Sequence, residues 1–214
     1  RDLRAQTARL EQADREKTEL LQQLERQSQA FARQAREDAL TSLPNRRHFD
    51  ELLERAFEHA RSHSGLLAVA VLDLDHFKQI NDRYGHSGGD EVLRIYSKNI
   101  LSIFRHHDLV ARYGGEEFAV LLPNTREEGS MRALNKVKAR AGETRWQFND
   151  EMISVPTFSS GVSLYKPGET ASAFIERADK ALYRAKRLGR NRVELDATYR
   201  SNVEAPEAEP VADS

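Results

Sequence analysis

Gly114-Gly115-Glu116-Glu117-Phe118 is where this sequence first suggests chemistry. It lies between two short apolar runs that read as the strands of a β-hairpin. Paired glycines tolerate the positive φ angles of a tight primed turn. Two acids fixed at the mouth of such a turn offer hard oxygen donors, so a metal or phosphate site is one reading. A plain hairpin with polar ends is the other. A second acidic group ends the apolar run over residues 66–72, in Asp73-Leu74-Asp75-His76-Phe77-Lys78. The run reads as a strand buried on both faces. The C-terminal edge of such strands is where open α/β sheets bind ligands; alternatively, Asp73 and Asp75 cap a turn. Asp90 closes a polar, glycine-rich stretch and either serves a ligand or caps the next helix. Lys186 and Arg190 stand four apart near the end of a helical pattern. There they can point two cations to one side or simply favour a helix C-terminus.

The elements that must position these groups follow from patterning. The 214 residues are 39% hydrophobic and 31% charged, enough for one domain with a solvated appendage. A net charge of −1 gives no electrostatic case for nucleic acid or an anionic membrane. There are no cysteines, which excludes disulfides and thiolate metal sites. No apolar run approaches a membrane span and no signal peptide is visible. The chain starts at Arg1 rather than Met, which leaves room for an upstream sensor or anchor.

Residues 1–37 contain no Gly or Pro. Leu3, Leu10, Leu24 and Phe31 share a seven-residue spacing that Lys17 interrupts, and Ala13, Leu20 and Leu21 join the same side. This predicts a long helix with a narrow apolar seam, a coiled-coil stalk that needs a partner helix. Pro44 suits a helix start, with Asn45 or Ser42 as its cap. Phe49, Leu52, Leu53, Ala56, Phe57 and Ala60 mark the helix that follows. Further helices are expected through Val92–Phe104, Met131–Ala141 and Phe174–Ala185. Short strands are expected at 146–148, 152–155, 157–163 and 193–195, the first two turning at Asn149-Asp150-Glu151. Residues 196–214 read as a disordered acidic tail. Alternating strands and helices with tight antiparallel turns predict an α+β fold. Its core is a central antiparallel or mixed sheet covered by helices, a ferredoxin-like layout with extensions.

Taken together these motifs resemble the GGDEF family of diguanylate cyclases. The likeness covers residues 38–195 and rests on several separated segments in order. They are Leu40-Thr41-Ser42-Leu43-Pro44-Asn45-Arg46, Asp73-Leu74-Asp75-His76-Phe77-Lys78, Asn81-Asp82, Gly85-His86, Gly89-Asp90, the Gly114–Phe118 signature, Ser159-Ser160-Gly161-Val162, and Ala178-Asp179 through Gly189-Arg190-Asn191. The resemblance implies a nucleotide-cyclase-like fold that joins two GTP molecules into cyclic di-GMP. Two facing subunits of a homodimer would each hold one GTP. Asp73, Glu116 and the Leu74 carbonyl would hold Mg²⁺, with Mn²⁺ as a substitute. Phe77, Lys78, Asn81, His86, Asp90, Lys186 and Arg190 would bind GTP, Asn81 and Asp90 reading guanine. Glu116, Glu117 and Lys78 are the catalytic candidates. Arg105-His106-His107-Asp108 resembles an RxxD product-inhibition site, in which Arg105 and Asp108 bind cyclic di-GMP; Lys136 stands where the family has a second arginine. A cytoplasmic bacterial protein is implied, with the stalk open to a regulatory protein. A catalytically dead cyclic di-GMP receptor and an ATP-using relative are the alternatives. The presence of Asp73, Glu116 and Lys186 argues against the first, and Asn81 with Asp90 against the second.

Overall fold

In the computed structural model, which describes residues 2–63 and 65–198, a 35-residue helix α1 (Asp2–Arg36) leads into an α+β domain. The domain runs α2 (Arg46–His63), β1 (Leu67–Leu74), α3 (Phe77–Leu101), β2 (Leu109–Arg112), β3 (Glu117–Pro123) and α4 (Glu127–Glu143). It continues through β4 (Arg145–Phe148), β5 (Glu151–Ser154), β6 (Phe158–Leu164), α5 (Ala171–Arg187) and β7 (Val193–Leu195). Five strands form one sheet in the order β2-β3-β1-β6-β7. Its first four strands are antiparallel, as the ferredoxin-like reading expects. The addition is β7, which pairs in parallel with β6 and makes the sheet mixed.

Every residue of β1 is buried, because the central strand has a helix layer on each side. Ala68, Ala70, Leu72 and Leu74 face a cluster with Val92, Tyr96, Leu134 and Val137 of α3 and α4. Leu67, Val69 and Val71 face Phe49, Leu53, Phe57, Phe174 and Leu182 of α2 and α5. The alternation places Asp73 on the α2/α5 side. Gly161 of β6 sets how closely α5 approaches. A Cβ there would lie 2.0 Å from the Ala178 carbonyl oxygen and 2.1 Å from the Leu182 nitrogen.

Two expected turns differ in detail. The small hairpin turns on Asn149 and Asp150 alone, at φ 46° and 64°, with Phe148 opposite Glu151. That is the two-residue primed geometry. By contrast, neither Gly114 nor Gly115 is among the positive-φ residues, so the signature turn is a wider loop than the glycine pair suggests. The polar stretch before Asp90 is helical rather than a loop. Helix α3 runs through it and breaks only at Gly85 (φ 70°, ψ 175°), so Asp90 lies inside a helix and does not cap one.

The joint between α1 and the domain is densely bonded. The N–H groups of Glu37, Asp38, Ser42 and Asn45 all donate to carbonyls between Arg33 and Leu43. Asn45 Oδ1 caps α2 by accepting from His48 N–H at 3.0 Å, as the sequence suggests, and its amide donates to the Ala35 carbonyl. Along α1, Leu20, Leu21, Leu24 and Phe31 are exposed. The side chains of Leu3, Leu10 and Ala13 lie outside those described. Among the described residues no helix is long and apolar enough to cross a membrane.

Asp196, expected to open the tail, is instead packed into the domain. Asp196 is 3% exposed, and its Oδ2 accepts from Arg177 at 2.8 Å. Arg177 also donates to both Glu169 oxygens and to the Leu164 carbonyl. Residues 199–214 lie outside the described residues. Burial raises the Asp196 pKa, but hydrogen bonds from Thr198 and Arg177 overcome it, so the net shift is downward. A carboxylate held low in the folded state stabilises the fold above its ordinary value and loses that contribution as the pH falls. Arg177→Ala is therefore expected to destabilise the domain by about 3 kcal/mol at neutral pH, because Glu169 loses its bidentate partner and Asp196 keeps only Lys166 as a cation, at 3.6 Å. In denaturant titrations that deficit should shrink as the pH falls below the ordinary aspartate range and Asp196 takes up its proton. An equal deficit at pH 7 and pH 3 would show that packing, not charge, is what Arg177 contributes.

Candidate active site

The sheet brings the sequence's two acidic groups to one edge. Asp73 ends β1 opposite Glu117 at the start of β3, and the Leu74 N–H donates to the Glu116 carbonyl at 3.3 Å. From the neighbouring helix α5, Lys186 Nζ reaches Asp73 Oδ2 at 2.8 Å. Gly161 makes this possible, since α5 could not lie so close to the sheet over a larger residue. Gly114 has a related task. A Cβ there would sit 2.3 Å from Glu117 Oε2, so the glycine leaves space for a carboxylate. This close-approach role, rather than positive φ, is the reason the turn needs glycine at that position.

The carboxylates crowd one another. The Glu116 pKa is raised, first by burial and then by Asp73, with Lys186 opposing. Glu117 is also raised, by burial and then by Asp73 and Asp179, with Lys186 and Arg46 opposing. Partly buried like charges of this kind favour a cation among them. Asp73 and Glu116 supply hard oxygen donors, the type Mg²⁺ takes, so the donor set fits that ion. Among the described residues no three acidic or imidazole side chains form a self-sufficient metal cluster.

Asp75, two residues on, does something else. It is 3% exposed and accepts from Thr157 Oγ1, Ser159 Oγ and the Asn191 backbone N–H. It is a fastener that joins the ends of β1 and β6 to the segment after α5, with no lone pair turned to the Glu116 edge by these bonds.

The remaining candidates divide. Asn81 packs across the α3 break against Gly89, the residue before Asp90, since Asn81 Oδ1 occupies the space a Gly89 Cβ would need. Phe77 is buried beneath them, 3.1 Å from the same point. Lys78, His86 and Arg190 are exposed and, among the described residues, have no side-chain hydrogen bond or ion pair. Lys186 and Arg190 do not share a helix face as their spacing suggests. Helix α5 ends at Arg187, Gly189 turns at φ 107°, and the Arg190 N–H returns to the Ala185 carbonyl at 3.0 Å. This is a glycine-terminated helix end, legible in Gly189. The sequence reading missed Arg46, whose guanidinium lies 4.6 Å over the Tyr113 ring beside the signature. It also missed Arg112. That guanidinium donates to both Asp38 oxygens, at 3.0 and 3.1 Å, and to the Gly115 carbonyl, at 2.7 and 3.2 Å. Its position next to the signature was the available signal.

A second cationic cluster lies at the opposite end of the β2–β3 hairpin. Arg105, Asp108, Arg126, Arg132 and Lys136 line a cleft of about 420 Å³. Asp108 Oδ2 accepts from the Arg105 N–H at 2.8 Å, whereas Oδ1 is buried without a hydrogen bond.

Acids and a lysine thus converge at one edge of a ferredoxin-like sheet, within an α+β domain whose helix α3 breaks at Gly85. Residues 35–192 match the family described as diguanylate cyclase, GGDEF domain, and the chain belongs to that family. It is 44% identical over 158 residues to the diguanylate cyclase DgcP of Pseudomonas aeruginosa, across 74% of this chain and 23% of that protein. The chain spans well under half the length of the curated relatives it matches. Its structure is similar to the coiled coil and GGDEF domain of DgcB from Caulobacter crescentus in complex with c-di-GMP. That match has a TM-score of 0.81 and 35% identity over 87% of this chain and 98% of that one. It is also similar to diguanylate cyclase SiaD in complex with its activator SiaC from Pseudomonas aeruginosa, with a TM-score of 0.74 and 37% identity. There the overlap is 89% of this chain and 73% of that one.

Proposed function

We propose that this chain is a diguanylate cyclase that condenses two GTP molecules into cyclic di-GMP and two pyrophosphates. The supporting observation is the convergence of Asp73, Glu116 and Lys186 at one sheet edge within a GGDEF domain. Asp73 and Glu116 would hold Mg²⁺, or Mn²⁺, with the Leu74 carbonyl. The bound ion would polarise the α-phosphate and acidify the attacking 3′-hydroxyl. The chain's own contribution is positioning and charge neutralisation. Lys186 would leave Asp73 for the triphosphate, joined there by Lys78 and Arg190. Asn81 and Asp90 would read the guanine edge; adenine presents an acceptor where Asp90 needs a donor, so ATP leaves buried polar groups unpaired. His86 follows the α3 break and would border the base. Glu117, with its raised pKa, would accept the proton or share the ion.

Each domain carries one such edge, so product formation requires two copies facing each other. The exposed apolar residues of α1 would pair the stalks, and the polar remainder of that seam would let a regulatory protein adjust them. GTP supplies the substrate in the cytoplasm. The decisive experiment is incubation with GTP and Mg²⁺, with nucleotide chromatography over a series of enzyme concentrations. A cyclic dinucleotide whose yield per enzyme rises with concentration supports the reading; GTP left intact throughout overturns it.

The Arg105 cleft would bind the product. The uncommitted Asp108 Oδ1 would accept from guanine, and Arg105 from one side with Arg132 and Lys136 from the other would meet phosphate. Arg105→Ala is expected to raise the cyclic di-GMP concentration needed for half-inhibition by about tenfold, the loss of one charge-assisted contact. Identical inhibition curves for variant and parent would remove the cleft from this role.

A further inference from the structure

The β4–β5 hairpin stands apart from the main sheet, yet it packs on the one place where α3 breaks. Trp146 and Phe148 point from β4 into a three-ring cluster with Tyr84, the residue immediately before Gly85. The Tyr84–Trp146 centroids are 5.5 Å apart at 76°, Tyr84–Phe148 5.9 Å at 79°, and Trp146–Phe148 4.9 Å at 42°. Edge-on contacts of this kind fix ring orientation as well as bury area. The cluster also reaches past the break. A Cβ on Gly88 would lie 2.5 Å from Tyr84 Cβ, 3.4 Å from Trp146 Cη2 and 3.7 Å from Phe148 Cζ. The aromatic wedge therefore touches both segments of α3, one through Tyr84 and the other through Gly88. Arg83 adds an ion pair to Glu151 at 2.8 Å, but both side chains are exposed and the pair contributes little.

The break lies between Asn81 and Asp90 and brings Asn81 against Gly89, the residue before Asp90. Asn81 lies four residues before Gly85 and Asp90 five after it, and Asn81 Oδ1 fits against Gly89 only because that residue lacks a Cβ. The angle between the segments decides how far apart the two polar side chains stand. Trp146 is 4% exposed, and its indole N–H is buried without a partner. The ring is therefore held by shape rather than by a hydrogen bond.

We propose that Trp146 is a positioning residue for base recognition: the β4–β5 hairpin wedges the kink of α3 and thereby sets the guanine preference of Asn81 and Asp90. This deepens the cyclase reading and rests on it for the assignment of those two residues to the base.

The test compares binding of α,β-methylene GTP with that of α,β-methylene ITP, which lacks the 2-amino group, by calorimetry on the full chain. The methylene bridge prevents turnover. The parent should prefer the guanine analogue by about a hundredfold, since the site's polar groups go unpaired with hypoxanthine. Trp146→Leu should cut that ratio about tenfold by weakening the guanine analogue, leaving the inosine analogue within about twofold. Trp146→Phe keeps an aromatic ring and should retain most of the ratio. A purely structural role would lower the folded fraction and reduce both affinities equally. That result, or an unchanged ratio in Trp146→Leu, overturns the proposal. If Trp146→Leu does not fold, Tyr84→Leu attacks the same wedge from the helix side and decides by the same ratio. A parent with no preference overturns the proposal as well. A parent that discriminates but forms no cyclic product overturns only the cyclase reading, and the ratios still judge the hairpin.

Discussion

Replacing Glu116 with Gln is expected to lower cyclic di-GMP formation by about 10³-fold or more while raising the melting temperature of the metal-free protein. The first effect follows from removing a charged oxygen donor where Asp73 and Glu116 would hold the ion. Three decades of rate correspond to about 4 kcal/mol, within what a bound metal supplies to developing charge. The second effect has the opposite sign and a different cause. The Glu116 pKa is raised by burial and by Asp73. A carboxyl whose folded pKa is raised binds its proton more tightly in the fold, so stability falls as pH rises through that window. At neutral pH the ionised side chain burdens the fold, and a neutral isostere relieves it. Melting curves with and without Mg²⁺ separate the two effects. Added Mg²⁺ should stabilise the parent and leave Glu116→Gln almost unmoved. Retained product formation in the variant would end the metal assignment, and a lowered melting temperature would end the crowding argument.

Removing residues 1–35 is expected to reduce specific activity on the order of 10²–10³-fold at micromolar protein, because two tethered domains share an effective concentration near millimolar. The loss should reverse as the truncated domain is concentrated, which distinguishes lost encounter from a damaged site. Leu20, Leu21, Leu24 and Phe31 are exposed along α1, and nothing among the described residues buries them. Sedimentation alongside the activity series checks the cause. Full activity from a population shown to be monomeric would dispose of the requirement for paired domains.

Much of this was legible from patterning alone. The continuous apolar run of β1 marked a strand buried on both faces, and the sheet places it at the centre; Asp73 near its end was legible as a candidate donor, with a turn cap as the alternative. The helices over Phe49–Ala60 and Phe174–Ala185 followed from their spacing, and their buried faces are those residues. What stayed hidden depends on distant partners. Gly114 looks like a turn glycine until the Glu117 carboxylate is seen in its place. Asp75 looks like a twin of Asp73 until Thr157, Ser159 and Asn191 are brought to it from more than 80 positions away. The glycines before Asp90 look like a loop because local propensity disfavours a helix there. Packing by Trp146 and Tyr84 overrides that preference. Asp196 reads as tail because its cation, Arg177, is invisible without the parallel strand β7.

The bonded joint at residues 36–45 turns the leading helix into a lever. With 35 residues it is about 50 Å long, so a tilt of one degree sweeps its far end by about 1 Å. Arg112 completes the linkage, one guanidinium gripping Asp38 at the fulcrum and the Gly115 carbonyl at the signature turn. The nine residues between α1 and α2 are thus tied by hydrogen bonds both to the end of the rod and to the signature turn.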